Sequence, residues 1–106
     1  MPFIDMSKID QREVVPGYRG RFVHSESMTA VYWDADAGAP IPQHAHPHEQ
    51  IMNLVAGEFE LTVGGEMQLM TPGMIAVIPP DVPHSGRAVS ACRIIDVFHP
   101  IREDYR

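Results

Sequence analysis

Residues 57–78 read Gly57-Glu-Phe-Glu-Leu-Thr-Val-Gly-Gly-Glu-Met-Gln-Leu-Met-Thr-Pro-Gly-Met-Ile-Ala-Val-Ile78. Phe59, Leu61 and Val63 alternate with Glu60 and Thr62, the period of two that a strand with one buried face imposes. Gly64-Gly65 supplies a two-residue hairpin turn. Met67 and Leu69 resume the alternation on the return strand, and Thr71-Pro72-Gly73 turns the chain again. Met74–Ile78 is apolar without a break, which predicts a strand covered on both faces. Strands this short, joined by turns this tight, leave no room for a helix.

The same grammar continues outward. Residues 50–56 extend the strand material up to an interruption at Gly57, and Pro79-Pro80-Asp81-Val82-Pro83 forms a rigid turn. Residues 87–98 are predicted to form a last strand in which Asp96 and Phe98 share one face. On the other side, residues 28–34 are β-branched and aromatic, which suits a strand. Residues 18–24 are predicted as another strand, with Arg19 and Arg21 on one face. Residues 1–17 read as an irregular arm closed by Val14-Val15-Pro16-Gly17, with residues 18–106 forming the domain proper. No helix of ten or more residues emerges. The fold class is all-β, a single sandwich or barrel.

Composition narrows the partners. The chain has 106 residues, with 44% apolar and 21% charged, as expected of one globular domain. A formal charge of −6 argues against a nucleic-acid partner, because phosphate binding needs a basic surface. No apolar run approaches the roughly 18–20 residues of a membrane span. The opening residues lack the basic and long apolar regions of a signal peptide. Cys92 is the single cysteine. The expected compartment is therefore the cytoplasm. A small β domain exposes sheet edges, so a homodimer is expected, with the N-terminal arm long enough to cross to the partner.

The chemistry sits in residues 44–50, His-Ala-His-Pro-His-Glu-Gln. In an extended segment His44, His46 and Gln50 share parity, and His84 follows the rigid turn. Four such groups suffice for a first-row metal site. Imidazole suits Zn, Ni, Fe, Mn or Cu without selecting among them. Glu49 has the opposite parity and replaces Gln50 as ligand only if the chain bulges at Pro47. His24, His48 and His99 read as solvated side chains. Tyr32 and Trp33 read as core or interface residues.

These residues resemble the two motifs of the cupin superfamily. The first motif is met by Gly38, His44, His46, Gln50 and Gly57, with every interval matching. The second is met by Gly73, Pro79 and His84, with Asp81 where glycine is usual and Ala88 where asparagine is usual. The resemblance covers about residues 20–98 and implies a jelly-roll β-barrel. Gln50 replaces the usual acidic ligand, so the protein adds no negative charge to a divalent ion, whose Lewis acidity toward a substrate oxygen stays high.

His44–Gln50, Pro79–His84 and the ending Asp96-x-Phe98-x-Pro100-x-Arg102-Glu-Asp are further similar to the pectin-degradation cupins of the KdgF type, which open the ring of 4,5-unsaturated uronates. That resemblance implies one divalent transition metal per chain (Ni, Zn, Fe or Mn) held by His44, His46, Gln50 and His84. It implies an acid/base role for Asp96, with Phe98 and Arg102 lining the site of a small sugar acid. Arg102 is then the fork that pairs with the carboxylate. Arg19, Arg21 and Arg87 are further candidates for carboxylate contacts where they face inward, the alternative for each being a surface arginine. On this reading Asp96→Asn removes the proton acceptor and leaves the metal content unchanged. Two other functions fit the same residues: a metal-dependent dioxygenase, which would be inert without oxygen, and a non-catalytic module that binds a sugar or other small ligand.

Overall fold

The computed structural model describes residues 2–106; Met1, the first residue of the expected arm, lies outside the described residues. Ten strands are present among them: β1 (Arg12–Val15), β2 (Tyr18–His24), β3 (Thr29–Ala35), β4 (Pro40–His44), β5 (Glu49–Ala56), β6 (Phe59–Val63), β7 (Glu66–Met70), β8 (Ile75–Ile78), β9 (His84–Ala88) and β10 (Cys92–His99). Two single turns of 3-10 helix, Met6–Lys8 and Glu103–Tyr105, complete the chain. The strands form a six-stranded sheet ordered β1-β2-β3-β10-β5-β8 and a four-stranded sheet ordered β4-β9-β6-β7. All pairings are antiparallel. The result is the all-β fold expected from the turn spacing, in the jelly-roll form that the cupin resemblance implied. No helix of the described residues is long and apolar enough to cross a membrane.

The core lies between the sheets. Every second residue of β3 (Thr29, Val31, Trp33, Ala35) and of β10 (Cys92, Ile94, Asp96, Phe98) is buried. From the opposite sheet Phe59 and Leu61 meet them. Burying a side chain of this size contributes about 1.5–3 kcal/mol, so the alternation seen at 59–63 suffices to select which face turns inward.

Three details differ from the sequence reading; the interruption at Gly57 does not, and there the chain turns at φ +86° and passes from β5 to β6 in the other sheet. A Cβ there would collide with the Ala91 carbonyl. Residues 87–98 divide at 89–91, where the chain crosses from β9 back to β10. The arm is not irregular throughout: β1 pairs with its own β2, Arg12 opposite Gly20. Finally, Met74–Ile78 is not covered on both faces. Strand β8 is an edge, with Ile75 60% and Val77 68% exposed while Ile78 is buried.

One glycine positions the site. Gly20 lies opposite Trp33 in the β2–β3 register, and a Cβ there would sit 2.8 Å from two carbons of the indole. The missing side chain lets the indole lie flat across β2. Gly20→Ala is expected to cost about 1–3 kcal/mol through overpacking, read as a fall in the thermal midpoint. An unchanged midpoint would show that Trp33 has room to move.

Candidate metal centre and active site

The three histidines of the two motifs converge at one end of the barrel. His44 ends β4 and stands opposite His84 of β9 in register, their ring centroids 4.2 Å apart. His46 lies in the loop before β5, its ring 4.9 Å from that of His84. One ligand atom from each lies within 4.8 Å of the others.

Backbone carbonyls fix the tautomers. The Nδ1 of His44 lies 3.0 Å from the Pro42 carbonyl, that of His46 3.0 Å from the His48 carbonyl, and that of His84 2.9 Å from the Val82 carbonyl. A carbonyl only accepts, so each Nδ1 carries the hydrogen and donates. Each Nε2 is left with a bare lone pair, the arrangement typical of metal-binding imidazole. The Nε2 of His84 is buried with no hydrogen-bond partner. Burial, the largest effect, lowers the pKa of His46 to about 4 and also lowers that of His84, with neighbouring cationic groups adding to the shift. The metal-free rings of His46 and His84 are therefore neutral at pH 7.

Gln50, on β5, points inward and is buried, whereas Glu49 is exposed. The alternative in which a bulge at Pro47 turns Glu49 inward does not occur. Gln50 Oε1 lies 3.2 Å from His46 Nε2. With the hydrogen on Nδ1, two lone pairs face each other across that gap. Two acceptors side by side repel unless a cation sits between them, so the donor set fits a divalent metal. The three histidines can hold such an ion.

Behind Gln50 lies Asp96, buried at 8% exposure. Its Oδ1 accepts from Gln50 Nε2 at 2.9 Å and its Oδ2 from Trp33 Nε1 at 3.0 Å. Burial raises its pKa to about 6, against the opposing pull of those two hydrogen bonds and of Arg102. Arg102 is buried and stacked over Phe98 and Tyr105, its Cζ 4.7 and 4.1 Å from the ring centroids. Its Nε and Nη2 donate to Asp104 at 2.9 and 2.7 Å. The Nε/Nη2 fork expected to meet a substrate carboxylate is thus already paired with Asp104 of its own tail.

All of these groups but His46 line one cavity of about 290 Å³, small-molecule sized, walled by His44, His84, Gln50, Asp96, Phe98 and Arg102. Trp33 and Tyr105 also line it; the sequence reading gave neither a role there. Trp33 shares the inward parity of Val31 and Ala35, and a buried indole N–H needs an acceptor, a signal available in the sequence. Tyr105, in a tail with no strand pattern, left no such signal.

Arg21 and Arg87 do not belong to this cavity. Tyr18, Gly20 and Phe22 are the more apolar set of β2 and take the inner face, so Arg19 and Arg21 point outward. Arg21 Nε donates to the Ile9 carbonyl and Arg19 pairs with Asp36. Arg87 has the opposite parity to His84 and forms an exposed ion pair with Glu60. Nor are His24 and His48 free in solvent. His48 Nε2 reaches the Ile101 carbonyl at 3.2 Å, and His24 bridges Thr29 Oγ1 and the Tyr105 carbonyl. Both tie the C-terminal tail to the barrel.

A jelly roll with three histidines converging from two turns defines a cupin. The chain belongs to the cupin family: the cupin-domain model matches residues 31–98. Among solved structures it is similar to KdgF from a Halomonas species, with 31% identity, a TM-score of 0.93, and coverage of 100% of this chain and 99% of that one. It is also similar to an RmlC-like cupin from Shewanella frigidimarina, with 29% identity, a TM-score of 0.94 and coverage of 100% and 96%. A curated, uncharacterised protein of Streptomyces coelicolor is 27% identical over 81 residues, 76% of this chain and 77% of its own length.

Proposed function

We propose that this chain opens the ring of a 4,5-unsaturated uronate, giving the linear keto sugar acid, in a metal-dependent reaction in the cytoplasm. The observation that carries this reading is Asp96: a buried carboxylate in the same cavity as the histidine–glutamine donor set, in a chain similar over its whole length to KdgF.

The substrate is a cyclic enol ether and a hemiacetal. Opening removes the proton of the anomeric hydroxyl and breaks the bond from C1 to the ring oxygen. C1 becomes an aldehyde, the ring oxygen becomes an enolate oxygen, and C4 takes a proton to leave a ketone at C5. No atom is gained or lost. Asp96 takes the hydroxyl proton and returns it to C4. Each of its oxygens accepts one hydrogen bond from the protein, which leaves a lone pair on each for this exchange. Arg102 Nη1 is not used by Asp104 and is offered to the substrate carboxylate. Phe98, beneath Arg102, supplies an apolar floor. A divalent ion held by His44, His46, His84 and Gln50 would supply Lewis-acid stabilisation of charge on the departing oxygen.

The test is loss of the ultraviolet absorbance of a 4,5-unsaturated uronate on adding metal-loaded protein, with the keto product identified by NMR. The reaction should proceed equally well without oxygen. Absorbance that persists with saturating metal would sink the reading, and oxygen dependence would favour the dioxygenase alternative.

The proposed partner is a second copy of the chain. Ile51, Val55, Ile75 and Val77 are exposed on the outer side of neighbouring strands β5 and β8, beside the free edge of β8. Such an edge invites pairing, and two identical edges can meet about a two-fold axis. Sedimentation at micromolar concentration is expected to give a dimer, and Val77→Arg a monomer. A monomeric parent chain would refute the assembly.

A further inference from the structure

An amide side chain has two chemically different ends. Only the oxygen of Gln50 can ligate a cation; the NH₂ end would turn two hydrogens toward it. Which end faces the histidines is settled from behind. Asp96 Oδ1 lies 2.9 Å from Gln50 Nε2, and Asp96 Oδ2 lies 3.0 Å from Trp33 Nε1. An indole N–H donates and never accepts.

We propose that the acceptor-only Asp96 carboxylate, held in place by Trp33, fixes the polarity of the Gln50 amide so that its oxygen faces the three histidine nitrogens. The hydrogen bonds run one way, from the Trp33 N–H into Asp96 and from the Gln50 NH₂ into Asp96. They leave Oε1 3.2 Å from His46 Nε2. Trp33 is in turn held edge-on against Tyr18, Phe22 and Tyr105 and lies over Gly20. It is a positioning residue, 63 positions from the Asp96 it orients. This inference rests on the metal reading of the His44/His46/Gln50/His84 site, not on the sugar substrate.

The consequence for Asp96→Asn differs from the sequence expectation of unchanged metal content. Asparagine has one accepting and one donating end. Trp33 claims the accepting end, so the NH₂ of the introduced asparagine faces Gln50. The Gln50 amide must then turn over and present its own NH₂ to the histidines.

Cobalt(II) binding to the full chain reads this directly, by chelator competition and by the visible bands of the bound ion. Asp96→Asn is expected to lose about 10–100-fold in cobalt affinity, the usual cost of removing an outer-shell partner. Its spectrum should match that of Gln50→Leu. Adding Trp33→Phe to Asp96→Asn frees the introduced amide to turn its oxygen toward Gln50, so the double variant should bind cobalt more tightly than Asp96→Asn alone. A merely structural Trp33 gives the reverse, a double variant worse than either single one. Asp96→Leu supplies the same comparison without touching Trp33. It removes the misdirecting donor, so it should bind cobalt more tightly than Asp96→Asn despite being the less conservative change.

Parental affinity and spectrum in Asp96→Asn would overturn the proposal. So would double and leucine variants that bind no better than Asp96→Asn. A parent chain that takes up no cobalt would overturn both the proposal and the metal centre. A parent chain that binds cobalt but leaves the unsaturated uronate intact would overturn only the substrate reading.

Discussion

His84→Ala protein is expected to lose divalent-metal binding and the proposed ring-opening activity together. His84 Nε2 is a bare lone pair with no protein partner, and its ring sits closest to that of His44. Without it the donor set falls to two imidazoles and one amide oxygen. Metal polarisation of a substrate oxygen contributes several kcal/mol to the transition state. At about 1.4 kcal/mol per factor of ten, the rate should fall by about 10³-fold or more. Melting separates this loss from misfolding. A ligand that binds only the folded chain raises its midpoint, so added metal should raise the midpoint of the parent and not that of His84→Ala. In the absence of metal the variant loses the Nδ1–H bond to the Val82 carbonyl and some ring packing, so its midpoint should fall somewhat, and the response to added metal, not the starting midpoint, is the readout. A variant that retained stoichiometric metal would remove His84 from the site.

Asp96 gives the second large effect, measured at saturating metal so that occupancy does not enter. Asp96→Asn should lower the rate per bound metal by about 10²–10⁴-fold, the usual cost of a lost general base. The parent activity should also carry an acid limb. Burial, the largest effect, raises the pKa of Asp96 to about 6 in the metal-free chain, and a nearby cation pulls it down. The midpoint of that limb in kcat/KM is therefore expected no higher than about pH 6, with activity lost as pH falls through it and the group becomes protonated. The stability of the metal-free chain moves the other way for this one group. Its folded pKa lies above its ordinary value of 3.8, so the folded state binds the extra proton. Its stabilising contribution is complete below that ordinary value and is lost as pH rises through about 6. An Asp96→Asn enzyme with the parent rate per metal would end the acid/base assignment.

Arg21 and Arg87 show where sequence reading stopped short. Parity states which residues share a strand face; it does not state which face turns inward. For β2 the answer was present in the apolar set Tyr18, Gly20 and Phe22, which outweighs Arg19, Arg21 and Val23 for burial. For β9, an inward His84 already placed Arg87 outward. The run Met74–Ile78 misled for a different reason. A continuous apolar strand looks the same whether its second face meets its own chain or remains at an open edge.

The amino-acid sequence by itself determined the all-β class, most of the strands and turns, and the candidate donors. Period-two alternation and glycine turns are local properties, written in neighbouring residues. The intervals from Gly38 to Gly57 and from Gly73 to His84 are local too. Only the tertiary structure decided what stands behind the donors. Trp33, Gln50 and Asp96 are joined by hydrogen bonds that span 63 and 46 positions of chain, and the tail is pinned by His24 and His48 across 81 and 53. Such contacts depend on which strands pair, in what register and with which face inward. Those choices are made by burying apolar area across the whole barrel, which no single stretch of the chain encodes.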